Sequence, residues 1–193
     1  MANVIDPRIK EVLFTEEQLE EGIQKAADYL NKEYAGKTPV VVGILKGCIP
    51  FIGKILTKLT FDLEIDFMAA SSFKGGTKST GIIELALDLR TDIEGRDVLI
   101  LEDIIDTAKT LKMIVEMLKA RNPKSIKIVT LLDKKEGRQV DLEADYYCFE
   151  IPMCFIVGFG FDYKEILRNL PYIGILDEKV YMGDSNDPKE RKK

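Results

Sequence analysis

Val98-Leu99-Ile100-Leu101-Glu102-Asp103-Ile104-Ile105-Asp106-Thr107-Ala108-Lys109-Thr110 is the stretch on which the fold turns. Four apolar residues with no polar alternation read as a short strand buried on both faces, as in a parallel sheet. Leu111, Ile114, Val115 and Leu118 then recur at helical spacing until Pro123 breaks the run. A helix N-terminus presents unpaired backbone N–H groups, and Thr107 and Thr110 add hydroxyl donors, which together suit a phosphate. Glu102 and Asp103 would repel that phosphate if they faced it. In an extended segment neighbouring side chains point to opposite faces, so the two acids need not share one target. Beside a phosphate they suit sugar hydroxyls or magnesium, which sheds its waters reluctantly. Singly, either acid reads equally well as decoration of a strand end, with Asp106 or Thr107 capping the helix. The nine residues from Glu102 to Thr110 in this order are more specific.

The same alternation extends in both directions. Upstream, Thr15 and Gln18 form a capping box, Leu19, Ile23, Ala26 and Leu30 line one helix face, and Gly36 closes that helix. Pro39 to Leu45 is a β-branched run ending in Lys46-Gly47. The next element is a helix, with Pro50 in its first turn and Ile52, Ile55, Leu56 and Leu59 on one side. Leu63 to Ala70 and Ile82 to Leu89 are partner strands joined by Ser71 to Gly81, a polar, glycine-rich stretch expected as a mobile loop. Downstream, strands are expected at Ile126 to Leu132, Tyr146 to Ile151, Phe155 to Val157 and Ile173 to Leu176. This order predicts an α/β domain with a mostly parallel central sheet flanked by helices. Ligands of such sheets gather at the carboxyl ends of strands, which singles out the segments immediately after Leu45, Leu101 and Leu132.

Composition narrows the chemistry. A chain of 193 residues, 46% hydrophobic, forms one domain with a proper core. Its net charge of −5 argues against a nucleic-acid binder, and the basic cluster Lys189 to Lys193 reads as a solvated terminus. No apolar run approaches the roughly 18 residues of a membrane span, and the N-terminus lacks the pattern of a signal peptide. Cytoplasm is the expected location. Cys48, Cys148 and Cys154 have no CxxC spacing and read as reduced packing residues. Histidine is absent, which removes Ser-His and Cys-His nucleophile pairs and His-based zinc sites. Catalysis must run on carboxylates, lysines, hydroxyls, backbone amides or a hard metal ion.

The segment Glu102 to Thr110 resembles the phosphoribosyl-pyrophosphate motif of type I phosphoribosyltransferases, in their hypoxanthine-guanine branch. The resemblance runs from about Ile9 to Leu176 and includes Leu45-Lys46-Gly47, Ser72-Phe73, Lys134, the stretch Cys154 to Tyr163, and Arg168. It implies that fold, with a core at about 37–150 and a small hood from about 1–36 and 151–193. It implies that Glu102 and Asp103 bind ribose hydroxyls and, with Asp162, support Mg2+. Thr107, Ala108, Lys109 and Thr110 would wrap the 5′-phosphate, and Asp106 would handle the proton at purine N7. Lys46 and Gly47 would form the pyrophosphate loop, whose Leu45–Lys46 peptide can be cis in the family, and Arg168 would contact pyrophosphate. Ser72 and Phe73 would belong to a loop that closes over the reaction centre. Lys134 would read the O6 acceptor of a 6-oxopurine, Phe155 would stack on the base, and the Ile156 backbone would meet its edge; Phe159 and Phe161 read as core. The implied activity is purine salvage: phosphoribosyl pyrophosphate and hypoxanthine or guanine, with xanthine a further candidate, give the nucleoside monophosphate and pyrophosphate. No nucleic-acid or membrane partner is implied, and the assembly would be a homodimer or homotetramer.

Three departures from the family pattern stand out: Phe73 for tyrosine, Ala108 for glycine, and Met153-Cys154 for a polar pair. Alanine is expected at position 108 on the basis that φ there is negative. Three rivals stay open on sequence alone: an RNA-binding regulatory relative, a receiver-like domain with acids after a β-strand, and a family member with a decayed active site, prompted by Phe73 and Ala108.

Overall fold

The computed structural model describes residues 5–72 and 83–182. Phe73, most of the expected loop Ser71 to Gly81, and the basic cluster Lys189 to Lys193 lie outside the described residues.

A six-stranded sheet organises the chain. Its strands are β2 (Val40–Ile44), β3 (Glu64–Ser72), β4 (Ile83–Leu87), β5 (Asp97–Ile105), β6 (Ser125–Asp133) and β7 (Tyr146–Glu150), in the order β4-β3-β2-β5-β6-β7. All neighbours are parallel except the β3–β4 pair at one edge. Alternation along the central strands feeds two cores. Val41, Leu99, Leu101 and Val129 face α1 (Glu16–Glu33) and α2 (Ile49–Leu56). Val40, Val42, Val98, Ile100 and Ile128 face α3 (Lys109–Lys119), through Leu111, Ile114, Val115 and Leu118. Those four α3 residues are the ones the spacing predicted.

The capping box at α1 is formed, with Thr15 accepting from the Gln18 N–H and Gln18 from the Thr15 N–H. Its apolar face, Leu19, Ile23, Ala26, Ala27 and Leu30, buries against the large sheet. The resemblance implies a hood that includes residues 1–36; within that stretch, α1 packs its buried face against residues of β2, β5 and β6. The element that stands apart is a three-stranded antiparallel sheet, β1 (Ile9–Phe14), β9 (Ile173–Leu176) and β8 (Ile156–Val157), in the order β1-β9-β8. Ile9, Val157, Tyr163, Leu167, Tyr172, Leu176 and Tyr181 form its own core, the last from the short helix α4 (Glu178–Tyr181). β1 was not expected. Lys10 and Glu11 interrupt its apolar run, and it is a strand because β9 pairs with it.

Gly22 lies on the buried face of α1, where an added Cβ would collide with the Phe149 ring. Gly22→Ala improves helix propensity by about 1 kcal/mol, whereas overpacking costs about 1 to 3 kcal/mol. The expected outcome is a net loss of stability of about 1 kcal/mol in urea unfolding. A gain would show that Phe149 moves aside freely.

Candidate active site

Three strand ends meet at the carboxyl edge of the large sheet. β5 carries Glu102 and Asp103 within its length, β2 stops just before Leu45-Lys46-Gly47, and β6 stops at Asp133, immediately before Lys134. The Leu45–Lys46 peptide is cis. A Cβ on Gly47 would run into the Asp103 carboxylate, so only glycine lets the turn come this close.

The acid pair is half-buried. Burial raises the pKa of Glu102 well above its ordinary value, and the charge of Asp103 adds to this. Asp103 is pushed up to about 6, chiefly by burial; hydrogen bonds from backbone N–H groups and the charge of Arg168 pull it down. Asp103 Oδ1 accepts from the Ile104 N–H at 2.9 Å. Glu102 Oε2 is buried with no hydrogen-bond partner among the described residues. Carboxylates held this way suit a cation or hydroxyl donors. Strand alternation does not isolate the two acids from each other. Burial first, then the charges of both Glu102 and Asp103, push the Cys48 thiol up to about 12.

At the end of β5 the chain turns sharply into α3, and Ala108 makes the turn with φ 62° and ψ 0°. A negative φ was expected here from the alanine, and the structure corrects it. A left-handed non-glycine residue carries a penalty of about 1 to 2 kcal/mol, which the surrounding contacts hold in place. Ala108 is also the N-cap of α3 and makes no side-chain cap bond. Neither Asp106 nor Thr107 occupies the cap position. Thr107 Oγ1 accepts only a long 3.5 Å bond from the Lys109 N–H. Thr107 is half-buried, and Lys109 and Thr110 are exposed at the start of the helix.

The connection after β6 grips the Asp106 segment. The Lys134 N–H donates to Ile105 O at 2.9 Å, and the Gln139 N–H donates to Thr107 O at 3.1 Å. Arg138 Nη1 donates to the carbonyls of Ile105 and Asp106, each at 2.9 Å. Gly137 lies against the Asp106 carboxylate, with no room for a Cβ. Arg138 is itself paired with Asp133, which is fully buried. Sequence reasoning missed Asp133, Gly137 and Arg138, since Asp-Lys-Lys-Glu-Gly-Arg reads as an ordinary charged turn.

Lys134 is buried, and its Nζ lies 3.3 Å from Asp106 Oδ2 and 3.3 Å from Cys154 O. The second bond ties the hood to the large sheet beside Phe155. The Phe155 ring stacks on Tyr181 with centroids 5.2 Å apart and meets Tyr163 edge-on at 5.9 Å. Tyr181 is a further residue that sequence reasoning did not single out. Ile156 is buried in β8, and Phe159 and Phe161 are core residues as expected.

Lys46, Asp162 and Arg168 form a second group. Arg168 donates to Gly160 O at 2.8 Å and pairs with Asp162 at 2.7 Å and Glu165 at 3.4 Å. Lys46 Nζ lies 2.9 Å from Glu165. Gly160, at φ 102°, packs on Gly47 O, which brings this group against the Lys46-Gly47 turn. Among the described residues no three Cys, Asp or Glu side chains converge as a metal cluster, so Glu102, Asp103 and Asp162 do not form one closed shell. Ser72 ends β3.

A model of the phosphoribosyl transferase domain matches residues 11–164. The chain belongs to the phosphoribosyltransferase family. This phosphoribosyltransferase is 52% identical over 178 residues to hypoxanthine-guanine phosphoribosyltransferase of Streptococcus pneumoniae, covering 92% of this chain and 99% of that one. Its counterpart in Streptococcus mutans is 48% identical over the same shares of the two chains. Among solved structures, hypoxanthine phosphoribosyltransferase of Staphylococcus aureus superposes with a TM-score of 0.88 at 48% identity, covering 94% of this chain and 98% of that one. The type I fold expected from the motifs is the fold observed.

Two substitutions probe the turn and its clamp. Ala108→Gly relieves the left-handed penalty but adds unfolded-state entropy, so a net stabilisation of about 0.5 to 1 kcal/mol is expected in urea unfolding. No gain would mean that alanine is unstrained there. Arg138→Met leaves Asp133 buried and unpaired, with an expected loss of about 3 kcal/mol. The double variant Asp133→Asn/Arg138→Met loses less, and a loss as large in the double variant would rule out the ion pair as the cause.

Proposed function

We propose that the chain is a purine salvage enzyme that transfers the 5-phosphoribosyl group from phosphoribosyl pyrophosphate to N9 of hypoxanthine or guanine. Xanthine is a further candidate base. The observation that carries this reading is the meeting of three strand ends, which brings an acid pair, an open helix N-terminus and a buried lysine to one edge of the sheet.

In this reading the uncapped start of α3 and the hydroxyls of Thr107 and Thr110 take the 5′-phosphate, with Ala108 and Lys109 supplying backbone N–H groups. Glu102 and Asp103 accept from ribose hydroxyls. Lys134 is a donor only, which suits the O6 acceptor of a 6-oxopurine and mismatches the 6-amino group of adenine. Its present partners, Asp106 and the Cys154 carbonyl, put the ammonium between the acid and the hood. Asp106 then handles the proton at N7 of the base. Phe155, backed by Tyr181, offers an apolar face for stacking, and the Ile156 backbone meets the edge of the base. Lys46, Gly47 and Arg168 hold the leaving pyrophosphate. The role the resemblance implies for Ser72 and Phe73 is to exclude water from C1′.

Magnesium fits the residues present. Its usual mode uses one or two carboxylates plus substrate phosphates rather than a protein cage. The orphaned Glu102 Oε2 and the all-oxygen donor set of Glu102, Asp103 and Asp162 agree with that mode. The ion's chemistry is to neutralise charge on the pyrophosphate oxygens. A homodimer or homotetramer in the cytoplasm belongs to the same reading. The three free cysteines accord with a reducing compartment.

The test is turnover by the purified protein with phosphoribosyl pyrophosphate, Mg2+ and each of four purines. IMP from hypoxanthine and GMP from guanine are expected, with adenine left unreacted. Failure to form either nucleotide overturns the proposal.

A further inference from the structure

Glu165 occupies a position that none of the assigned roles explains. One of its carboxylate oxygens lies 2.9 Å from Lys46 Nζ, and the other lies 3.4 Å from Arg168 Nη2. These two cations come from opposite ends of the chain, Lys46 from the turn after β2 and Arg168 from the segment after β8. A single carboxylate therefore spans the two cations assigned to pyrophosphate, one oxygen on each, as two oxygens of a phosphate would.

The backbone that presents this carboxylate is specialised. Lys164, Glu165 and Leu167 have φ of 51°, 66° and 73°, and none of them is glycine. Consecutive left-handed residues are disfavoured for L-amino acids and persist where surrounding contacts over-determine them. One such contact is the Glu165 N–H, which donates to Asp162 Oδ2 at 2.8 Å. Asp162 also takes Arg168, so the loop, the arginine and the carboxylate form one unit. The Lys46–Glu165 pair is itself two-thirds exposed. Exposed pairs are weak and yield readily to a stronger anion.

We propose that Glu165 is an internal stand-in for pyrophosphate, holding Lys46 and Arg168 in place and being displaced from both when pyrophosphate or phosphoribosyl pyrophosphate enters. The inference rests on the reading of Lys46 and Arg168 as pyrophosphate ligands. Its consequence is a competition: the carboxylate keeps the cations ordered but weakens the net affinity for the leaving group, which favours release of the product.

The experiment compares wild type with Glu165→Gln, which keeps the shape and removes the charge. Glu116→Gln, on the remote Glu116–Lys119 pair of α3, makes the same change in net charge away from the cleft. Magnesium pyrophosphate binding is measured by calorimetry, and KM for phosphoribosyl pyrophosphate by steady-state turnover. Glu165→Gln is expected to tighten pyrophosphate binding and lower KM by about two- to fivefold, with Glu116→Gln unchanged in both. Unchanged or weakened binding in Glu165→Gln overturns the inference, as does an equal gain in Glu116→Gln. Normal IMP formation by the wild type alongside unchanged binding removes the stand-in role alone. A wild type that neither turns over nor binds magnesium pyrophosphate removes both readings.

Discussion

Two half-buried carboxylates at the end of a buried strand set the terms for everything around them. Glu102 and Asp103 sit within β5 between the buried Leu101 and Ile105, and burial opposes the charge on each. A folded chain gains nothing from such a pair by itself. Their surroundings are arranged to tolerate the pair rather than to neutralise it. Gly47 has no side chain, Cys48 is kept as an un-ionised thiol, and Arg168 approaches from the hood side. An arrangement that disfavours its own charges in the free protein is one that a ligand can stabilise.

Backbone strain is also localised. Six non-glycine residues among those described have positive φ, and five of them lie in two segments: Ala108 in the turn after β5, and Phe159, Lys164, Glu165 and Leu167 between β8 and β9. The sixth, Asn122, sits in a surface turn where asparagine adopts this conformation with little strain. Strain of this kind persists where contacts hold the chain against its local preference. Here those contacts are identifiable. The Thr107 carbonyl is fixed by Gln139, those of Ile105 and Asp106 by Arg138, and the 158–168 segment is cross-linked by Asp162 and Arg168.

Much of the fold was legible because it depends on short-range pattern. The apolar run at Val98 to Leu101, the α3 stripe and the capping box at Thr15 are local signals, and the structure reproduces each. β1 was illegible, since a strand interrupted by Lys10 and Glu11 exists only by pairing with β9 near the other end of the chain. The burial of α1 against the large sheet likewise depends on partners distant in sequence. Within the site, Glu102 to Thr110 and Lys134 could be found by residue type and order, but Asp133, Gly137, Arg138 and Glu165 could not. Their roles come from partners distant in sequence.

The sequence by itself determined the α/β class, the chemistry open to a chain without histidine, and the segments that carry acids, threonines and lysines to strand ends. Those are set by composition and periodicity, which act within a few residues. Only the tertiary structure decided that Ala108 is left-handed, that Glu102 Oε2 lacks a partner among the described residues, and that Glu165 bridges Lys46 and Arg168. Each of these depends on which distant groups share a small volume from which water is displaced. Desolvation and long-range contact are properties of the packed chain, and no window of neighbouring residues contains them.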